Sequence, residues 1–128
     1  MLYLDSSALV KLVVTEPETT ALRRYLRARS ARATSELSVV EVFRAALRRD
    51  AELVEIARRL LARVDRIALG NQLVERAGTL MPRDLRTLDA LHVASALELG
   101  DELEAVVAYD RRLLDAAAAH RLPTASPA

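Results

Sequence analysis

Four acidic residues lie at places in the sequence from which they could serve one site. Asp5 follows the apolar segment MLYL, and Asp110 follows EAVVAY. Glu41 and Asp89 interrupt the apolar runs LSVVEVFRAAL and TLDALHVASAL. Carboxylates that crowd together repel one another, and a divalent cation removes that cost. Ligands that are all oxygen suit Mg²⁺ or Mn²⁺ rather than zinc, and such an ion can polarise a phosphodiester and activate water.

Each acid also has an ordinary explanation. Asp110 could be a helix N-cap, and Asp89 could complement a helix dipole. Glu41 could form a surface salt bridge with Arg44 or Arg48. Asp5 is the hardest to explain in this way, because it directly follows the first strand, at the carboxyl edge of the predicted sheet.

The elements that would position these acids follow from the alternation of short apolar segments with amphipathic ones. We predict strands over 1–5, 32–35, 66–69 and 104–109, with an edge strand over 122–125. We predict helices over 6–14, 16–29, 35–49, 51–64, 71–80, 86–99 and 110–120, the first of them capped by Ser6 or Ser7. This order predicts a single α/β domain over 1–128, with three layers (α/β/α) and a parallel central sheet of four to five strands. Ligands bind such sheets beyond the carboxyl ends of the strands, where Asp5 and Asp110 would meet.

Composition excludes several classes of site. The 128 residues include no cysteine, so disulfides, thiolate metal sites and cysteine catalysis are excluded. No plausible Ser/His pair suggests a nucleophile. The N-terminus does not have the pattern of a signal peptide, and no apolar run is long enough to span a membrane. We therefore expect a cytoplasmic protein.

Four segments, MLYLDSSALVKL, SELSVVEVFRAAL, LRTLDALHVASAL and VVAYDRRLLDAA, stand in the order and spacing of the PIN-domain ribonucleases. Over nearly its whole length the chain resembles, more closely, the VapC toxins of bacterial toxin–antitoxin pairs. The resemblance implies a PIN-like fold and Mg²⁺- or Mn²⁺-dependent cleavage of RNA that leaves a 5′-phosphate and a 3′-hydroxyl. It also implies a homodimer and inhibition by a VapB-like antitoxin that covers the active site.

The resemblance assigns site residues one by one. The acidic quartet of the family falls on Asp5, Glu41, Asp89 and Asp110. The small hydroxyl after the first acid falls on Ser7, which would position a carboxylate or a water. Many members have Thr or Ser two residues before the last acid, where this chain has Ala108, and this departure bears on the affinity of a second metal site.

Several further residues have weaker assignments. Arg83 and Arg86 precede Asp89 and could meet a phosphate, or they could pair with Asp84 at the helix start. His92 follows Asp89 by one turn and is interpreted as structural, since Mg²⁺ sites prefer oxygen. Asp115 could join the outer part of the site, or it could be solvated.

The net charge of +1 conceals a basic segment. Residues 19–50 contain eight arginines and three acids. Five of these arginines could meet RNA phosphates or an acidic antitoxin, namely Arg23, Arg24, Arg27, Arg29 and Arg32. They could equally be solvated helix faces, or reflect a GC-rich genome that uses arginine in place of lysine.

Other families with acids at strand ends fit less well. A receiver domain needs an adjacent acid pair after its first strand, and a haloacid-dehalogenase-like phosphatase needs Asp-x-Asp, whereas Asp5 is followed by two serines. The resemblance thus implies a toxin that hydrolyses RNA, with tRNA favoured as the substrate class and ribosomal or messenger RNA as alternatives. Asp5, Asp89 and Asp110 would hold the main ion and Glu41 would complete the pocket. The alternative is a catalytically silent PIN-like scaffold.

Overall fold

The chain folds into a parallel five-stranded sheet with helices packed on both faces. A computed structural model describes residues 1–29 and 31–128. In chain order the elements are β1 (Leu2–Leu4), α1 (Ser6–Val13), α2 (Thr19–Arg27), β2 (Arg32–Ser35), α3 (Glu36–Arg49), α4 (Leu53–Leu61), β3 (Asp65–Ile67), α5 (Asn71–Gly78), α6 (Thr87–Leu97), β4 (Ala105–Val107), α7 (Arg111–Ala119) and β5 (Thr124–Ala125). A 3₁₀ turn, Gly100–Glu102, precedes β4. The strand order is β3-β2-β1-β4-β5, and every pair is parallel.

The two faces of the central strands bury different side chains, which explains why these strands are apolar throughout. Leu2 and Leu4 point to a core that includes buried residues of α1, α2, α3 and α4. Tyr3 points to the opposite face, where it packs with Val106 and with residues of α6 and α7. The predicted three-layer α/β/α arrangement is therefore confirmed, with five strands in the sheet.

The structure corrects several predicted boundaries. The strand predicted over 104–109 is paired only over Ala105–Val107, because the chain leaves the ladder to enter the cap of α7. The strand predicted over 66–69 pairs as Asp65–Ile67. The helix predicted from Glu16 begins at Thr19, since Pro17 lies in the preceding turn.

The cap of α1 is also different from the prediction. Neither Ser6 nor Ser7 caps this helix. Asp5 is the N-cap, and its Oδ1 accepts a hydrogen bond of 2.9 Å from the backbone N–H of Ala8. An acid that ends a strand and begins a helix in this way is held at the sheet edge by backbone geometry.

Because β1 and β4 are neighbours, the residues that follow them lie side by side. Leu4 pairs with Val107, and the N–H of Asp5 donates to the carbonyl of Val107 at 3.2 Å. The carboxyl ends of the two strands thus open on one shared edge. Among the described residues, no helix is both long and apolar enough to cross a membrane.

Candidate active site

The four acids predicted to share a site line one cavity of about 250 Å³ at the carboxyl edge of β1 and β4. Asp5 follows β1, and Asp110 follows β4 as the N-cap of α7, where its Oδ1 accepts a bond of 3.0 Å from the N–H of Arg112. Asp89 lies in the first turn of α6, and Glu41 lies in the second turn of α3. Four different helices therefore each bring one carboxylate to the same space.

The acids differ in burial, and burial sets their electrostatics. Asp5 and Asp89 are 2% and 6% exposed, whereas the side chain of Glu41 is 30% exposed and Asp110 is exposed. Burial raises the pKa of Asp5, against the opposing effect of hydrogen bonds from Ser7 and from the N–H of Ala8. Burial also raises the pKa of Asp89, and the nearby Asp110 carboxylate raises it further. The cavity thus disfavours the ionised form of these two carboxyl groups unless a cation enters it.

Ser7 connects the two strand ends that contribute acids. Its Oγ lies 2.6 Å and 2.8 Å from the two carboxylate oxygens of Asp5, to which it donates, and it accepts a bond of 2.8 Å from the backbone N–H of Tyr109. The predicted role of positioning a carboxylate fits these contacts. Ala108, the position at which the resemblance implies Thr or Ser, is fully buried in an apolar cluster with Val93.

His92 links Glu41 to the centre of the sheet, a contact that the sequence did not predict. Its Nε2 lies 3.1 Å from Oε1 of Glu41, and its Nδ1 lies 2.8 Å from the hydroxyl of Tyr3. Burial raises the pKa of Tyr3 well above its usual value, so this hydroxyl keeps its hydrogen. The alternative of a salt bridge from Glu41 to Arg44 or Arg48 is not formed among the described residues.

Arginines flank the acids on one side, and only one of them was predicted. Arg86 and Arg112 line the acidic cavity and also an adjoining one of about 390 Å³. Asp115 lines that second cavity and lies 3.4 Å from Nε of Arg111, so it is not in the acidic cavity itself. The sequence signal for Arg112 was its place two residues after Asp110, in the first turn of the helix that this acid caps.

Arg83 lies elsewhere. It lines an apolar cavity between α5 and α6, together with Val74 and Leu91. Arg83 does not line the acidic cavity, whereas Arg86 does, so the two arginines that were predicted to meet a phosphate line different cavities. In the part of the chain that the structure describes, neither arginine forms an ion pair with Asp84.

A third cavity, of about 600 Å³, adjoins the acids on the other side and is lined by Lys11, Arg44 and Arg48. Lys11 is held by Glu18 at 3.0 Å and by Glu16 at 3.5 Å. Arg44 and Arg48 are exposed, lie one turn apart on α3, and have no ion-pair partner within the described residues. Positive side chains thus stand on both sides of the acids.

Five arginines of the predicted basic segment lie away from this edge, whereas Arg44 and Arg48 of the same segment line the third cavity. Arg32 opens β2 at the amino edge of the sheet and donates to the carbonyl of Leu26 at 3.2 Å, and Arg29 lies 3.4 Å from Glu104. Arg23, Arg24 and Arg27 are exposed on α2. None of the five lines the three cavities around the acids.

The chemistry of the cavity fits a hard divalent cation, although its side chains are not drawn together around one. Within residues 1–29 and 31–128, no three Asp, Glu or His side chains are grouped so that they could hold an ion as they stand. The donor set is nevertheless all carboxylate oxygen, and Oδ2 of Asp89 is buried with no hydrogen-bond partner among the described residues. No lysine or arginine of that part of the chain forms an ion pair with any of the four acids. Like charges without a cation repel, so separated carboxylates are expected here.

Comparison with known proteins places the chain among close relatives. Residues 2–119 match the PIN domain family. The chain is 48% identical to ribonuclease VapC46 of Mycobacterium tuberculosis over 116 residues, which cover 91% of this chain and 89% of the relative. It is 43% identical to ribonuclease VapC47 of the same species, covering 99% and 97%.

Solved structures show the same fold at lower identity. The crystal structure of M. tuberculosis VapC20, described as a sarcin–ricin loop cleaving toxin, superposes with a TM-score of 0.73 at 21% identity and covers 91% of this chain and 95% of that one. A toxin–antitoxin complex from Klebsiella pneumoniae superposes with a TM-score of 0.70 at 21% identity, covering 86% and 87%. The family match over 2–119 and the identity to VapC ribonucleases agree with the fold, and the chain belongs to the PIN domain family.

Proposed function

We propose that this chain is a Mg²⁺- or Mn²⁺-dependent endoribonuclease. The observation that carries the proposal is the convergence of four carboxylates, two of them buried, in one cavity at the carboxyl edge of the sheet. The relatives named ribonuclease support RNA as the substrate.

Asp5, Asp89 and Asp110 hold the cation in this proposal, and Glu41 completes the acidic pocket. When bound, Mg²⁺ or Mn²⁺ supplies Lewis-acid polarisation of the phosphodiester and makes water a better nucleophile. Ser7 keeps the Asp5 carboxylate in place through its two short contacts. Glu41, the partly exposed acid, orients the attacking water and accepts its proton on the carboxylate.

The RNA backbone runs from one arginine-lined cavity to the other across the acids. Arg86 and Arg112 contact phosphates on one side, and Arg44 and Arg48 contact them on the other. The planar guanidinium group suits phosphate oxygens, and four such groups offset the repulsion between the acidic cavity and a polyanion. Arg83 has no part in this path, and neither have Arg23, Arg24, Arg27, Arg29 and Arg32.

We further propose that the chain is the toxin of a toxin–antitoxin pair. The VapC names of its relatives and the toxin–antitoxin complex of similar fold support a VapB-like antitoxin as partner. Such a partner would inhibit the enzyme by covering the acidic cavity. We propose that the protein acts as a homodimer in the cytoplasm, where its RNA substrate is made.

The test is to sequence the RNA ends that appear when the protein is induced in cells. We expect new 5′-phosphate ends at one or a few positions, tRNA being the favoured class and ribosomal RNA the next. Asp5→Asn is the matched control, because asparagine keeps the size of the side chain and can still cap α1. New ends that persist unchanged in cells expressing folded Asp5→Asn protein would contradict the assignment.

A second function, a PIN-like protein that binds partners without catalysis, is favoured by one observation. The carboxylates are not grouped around an ion as they stand. Metal binding separates the two functions, because a scaffold needs no cation. Calorimetric titration of Mn²⁺ into wild-type protein would show saturable binding for the nuclease and none for the scaffold.

A further inference from the structure

The buried imidazole of His92 contacts one of the four acids, yet the proposed chemistry gives it no task. Its Nε2 lies 3.1 Å from Oε1 of Glu41, and its Nδ1 lies 2.8 Å from the hydroxyl oxygen of Tyr3. His92 and Tyr3 are 4% and 0% exposed, so the contact between them lies away from water. These three residues form a row of hydrogen bonds from β1, in the centre of the sheet, to the acidic cavity.

The directions of these hydrogen bonds follow from the groups involved. The Glu41 carboxylate can only accept, so Nε2 of His92 carries a hydrogen and donates it. The Tyr3 hydroxyl can then donate to Nδ1, which holds the ring in the tautomer with its hydrogen on Nε2. The two rings meet edge to face, with centroids 6.1 Å apart and planes at 73°, and this packing fixes the ring orientation as well.

Glu41 needs such support more than the other acids do. Asp5 and Asp110 have short side chains that accept hydrogen bonds from backbone N–H groups at helix starts. Glu41 has a longer side chain on the surface of α3, and His92 is its only hydrogen-bond partner within the described residues. Without His92 this carboxylate would sample several rotamers, and ordering it around a cation would cost conformational entropy.

We propose that His92, oriented by Tyr3, is a positioning residue that holds the Glu41 carboxylate ready for the divalent cation. The inference rests on the proposed function, since it assumes that the acids bind the ion. It assigns Tyr3 and His92 a role in metal affinity in addition to their role in the core. Partners of this kind, one bond away from the ligands, orient ligands in many metal sites.

The test is the affinity for Mn²⁺ alone, measured by calorimetry on metal-free protein. His92→Phe keeps a planar ring and removes the N–H donor, and we expect the dissociation constant to rise about 10-fold. Tyr3→Phe removes only the hydroxyl, and we expect a smaller rise of the same sign. Tyr25→Phe is the matched control, because Tyr25 lies on α2 away from the acids. The Mn²⁺ affinity of this variant should equal that of wild type.

A second comparison of variants distinguishes a role of His92 in orienting Glu41 from a role in core packing alone. If His92 acts through Glu41, adding His92→Phe to a Glu41→Gln protein should cause no further loss of Mn²⁺ affinity. His92→Gln, whose amide N–H can donate to Glu41, should recover most of the affinity. A merely structural histidine would lower the melting temperature in these variants and leave the affinity unchanged, and that result would overturn the inference. If His92→Phe does not fold, Tyr3→Phe alone decides the question.

The outcomes also separate this inference from the proposed function. Wild-type protein that binds no Mn²⁺ would contradict both. Wild-type protein that binds Mn²⁺, loses affinity with Glu41→Gln and keeps it with Tyr3→Phe, His92→Gln and His92→Phe would overturn only the role of His92. Loss of affinity with His92→Phe in both backgrounds would also overturn it, because the effect would then not pass through Glu41.

Discussion

At the scale of the residue, Asp5 has two roles that oppose each other in the free energy of folding. Its carboxylate caps α1 through the N–H of Ala8 and accepts from Ser7, which favours the folded state. The same carboxylate is 2% exposed, and burial raises its pKa. Buried charge therefore destabilises the metal-free protein at neutral pH, and a cation that restores the charge balance would stabilise it.

Asp5→Asn should abolish RNA cleavage and raise the stability of the metal-free protein at pH 7. Burial raises the pKa of Asp5 in the folded protein. The stability that the protonated carboxyl contributes is therefore fully present below the pKa of the unfolded chain, about 3.9, and is lost as the pH rises through the pKa of the folded protein. We expect a gain on the order of 1 kcal/mol at pH 7, or about 4 °C in melting temperature, and little difference near pH 4. Thermal melts with a chelator across this pH range measure it. Asp101→Asn, at an exposed site, should have no effect, and an equal gain from this control would refute the explanation.

At the scale of the element, Ser7 joins the start of α1 to the chain that leads from β4 into α7. Its Oγ accepts from the N–H of Tyr109 at 2.8 Å while donating to Asp5. One hydroxyl thus connects two strand ends that are separated by about a hundred residues in sequence. Without it, a backbone N–H and a buried carboxylate both lose a partner.

Ser7→Ala should therefore lower the free energy of unfolding by about 1–3 kcal/mol, the usual cost of leaving buried polar groups unsatisfied. It should also reduce the cleavage rate, since Asp5 would lose its orientation. Urea denaturation and RNA cleavage assays measure the two effects. Ser6→Ala is the control, because Ser6 lines the same cavity and forms no side-chain hydrogen bond among the described residues. Equal effects of the two substitutions would refute the role of Ser7.

The helices and strands show how much of the fold and of the site the sequence patterns can predict. Apolar periodicity predicted the order of strands and helices and the parallel sheet, because these depend on local spacing and on which faces are buried. It did not predict that Asp5 rather than a serine caps α1, since Asp and Ser are both good caps. It did not predict that Arg83 and Arg86 line different cavities, because the path of the turn before α6 is not encoded in periodicity. The His92–Glu41 contact spans 51 residues and depends on how α3 packs near α6, which no local pattern specifies.

At the scale of the whole molecule, a net charge of +1 describes the protein poorly. The four acids of the site lie together at the carboxyl edge of the sheet, with arginines on both sides of them. Of the eight arginines in the basic segment predicted from the sequence, Arg44, Arg48 and Arg49 lie on α3. The other five lie on α2, just after it, or at the start of β2. Placement rather than total charge determines where a polyanion can bind.

Substituting both Arg44→Gln and Arg48→Gln should weaken RNA binding and reduce its dependence on salt. For single-stranded RNA, removing two phosphate contacts should reduce the slope of log affinity against log salt by about 1.4. Binding is measured with the non-cleaving Asp5→Asn protein over a range of salt concentrations. The paired control is Arg23→Gln with Arg24→Gln on α2, which should leave the slope unchanged. Equal changes in the two pairs would mean that RNA does not follow the proposed path.

The central claim is that the four acids use a divalent cation to hydrolyse RNA. The most direct measurement is the rate at which purified protein cleaves RNA as Mn²⁺ is titrated, for wild type and for Asp5→Asn. The expected result is saturable cleavage by wild type, none in the presence of a chelator, and none by folded Asp5→Asn at any Mn²⁺ concentration. Cleavage that continues in the chelator, or that Asp5→Asn protein performs at the wild-type rate, would contradict the claim.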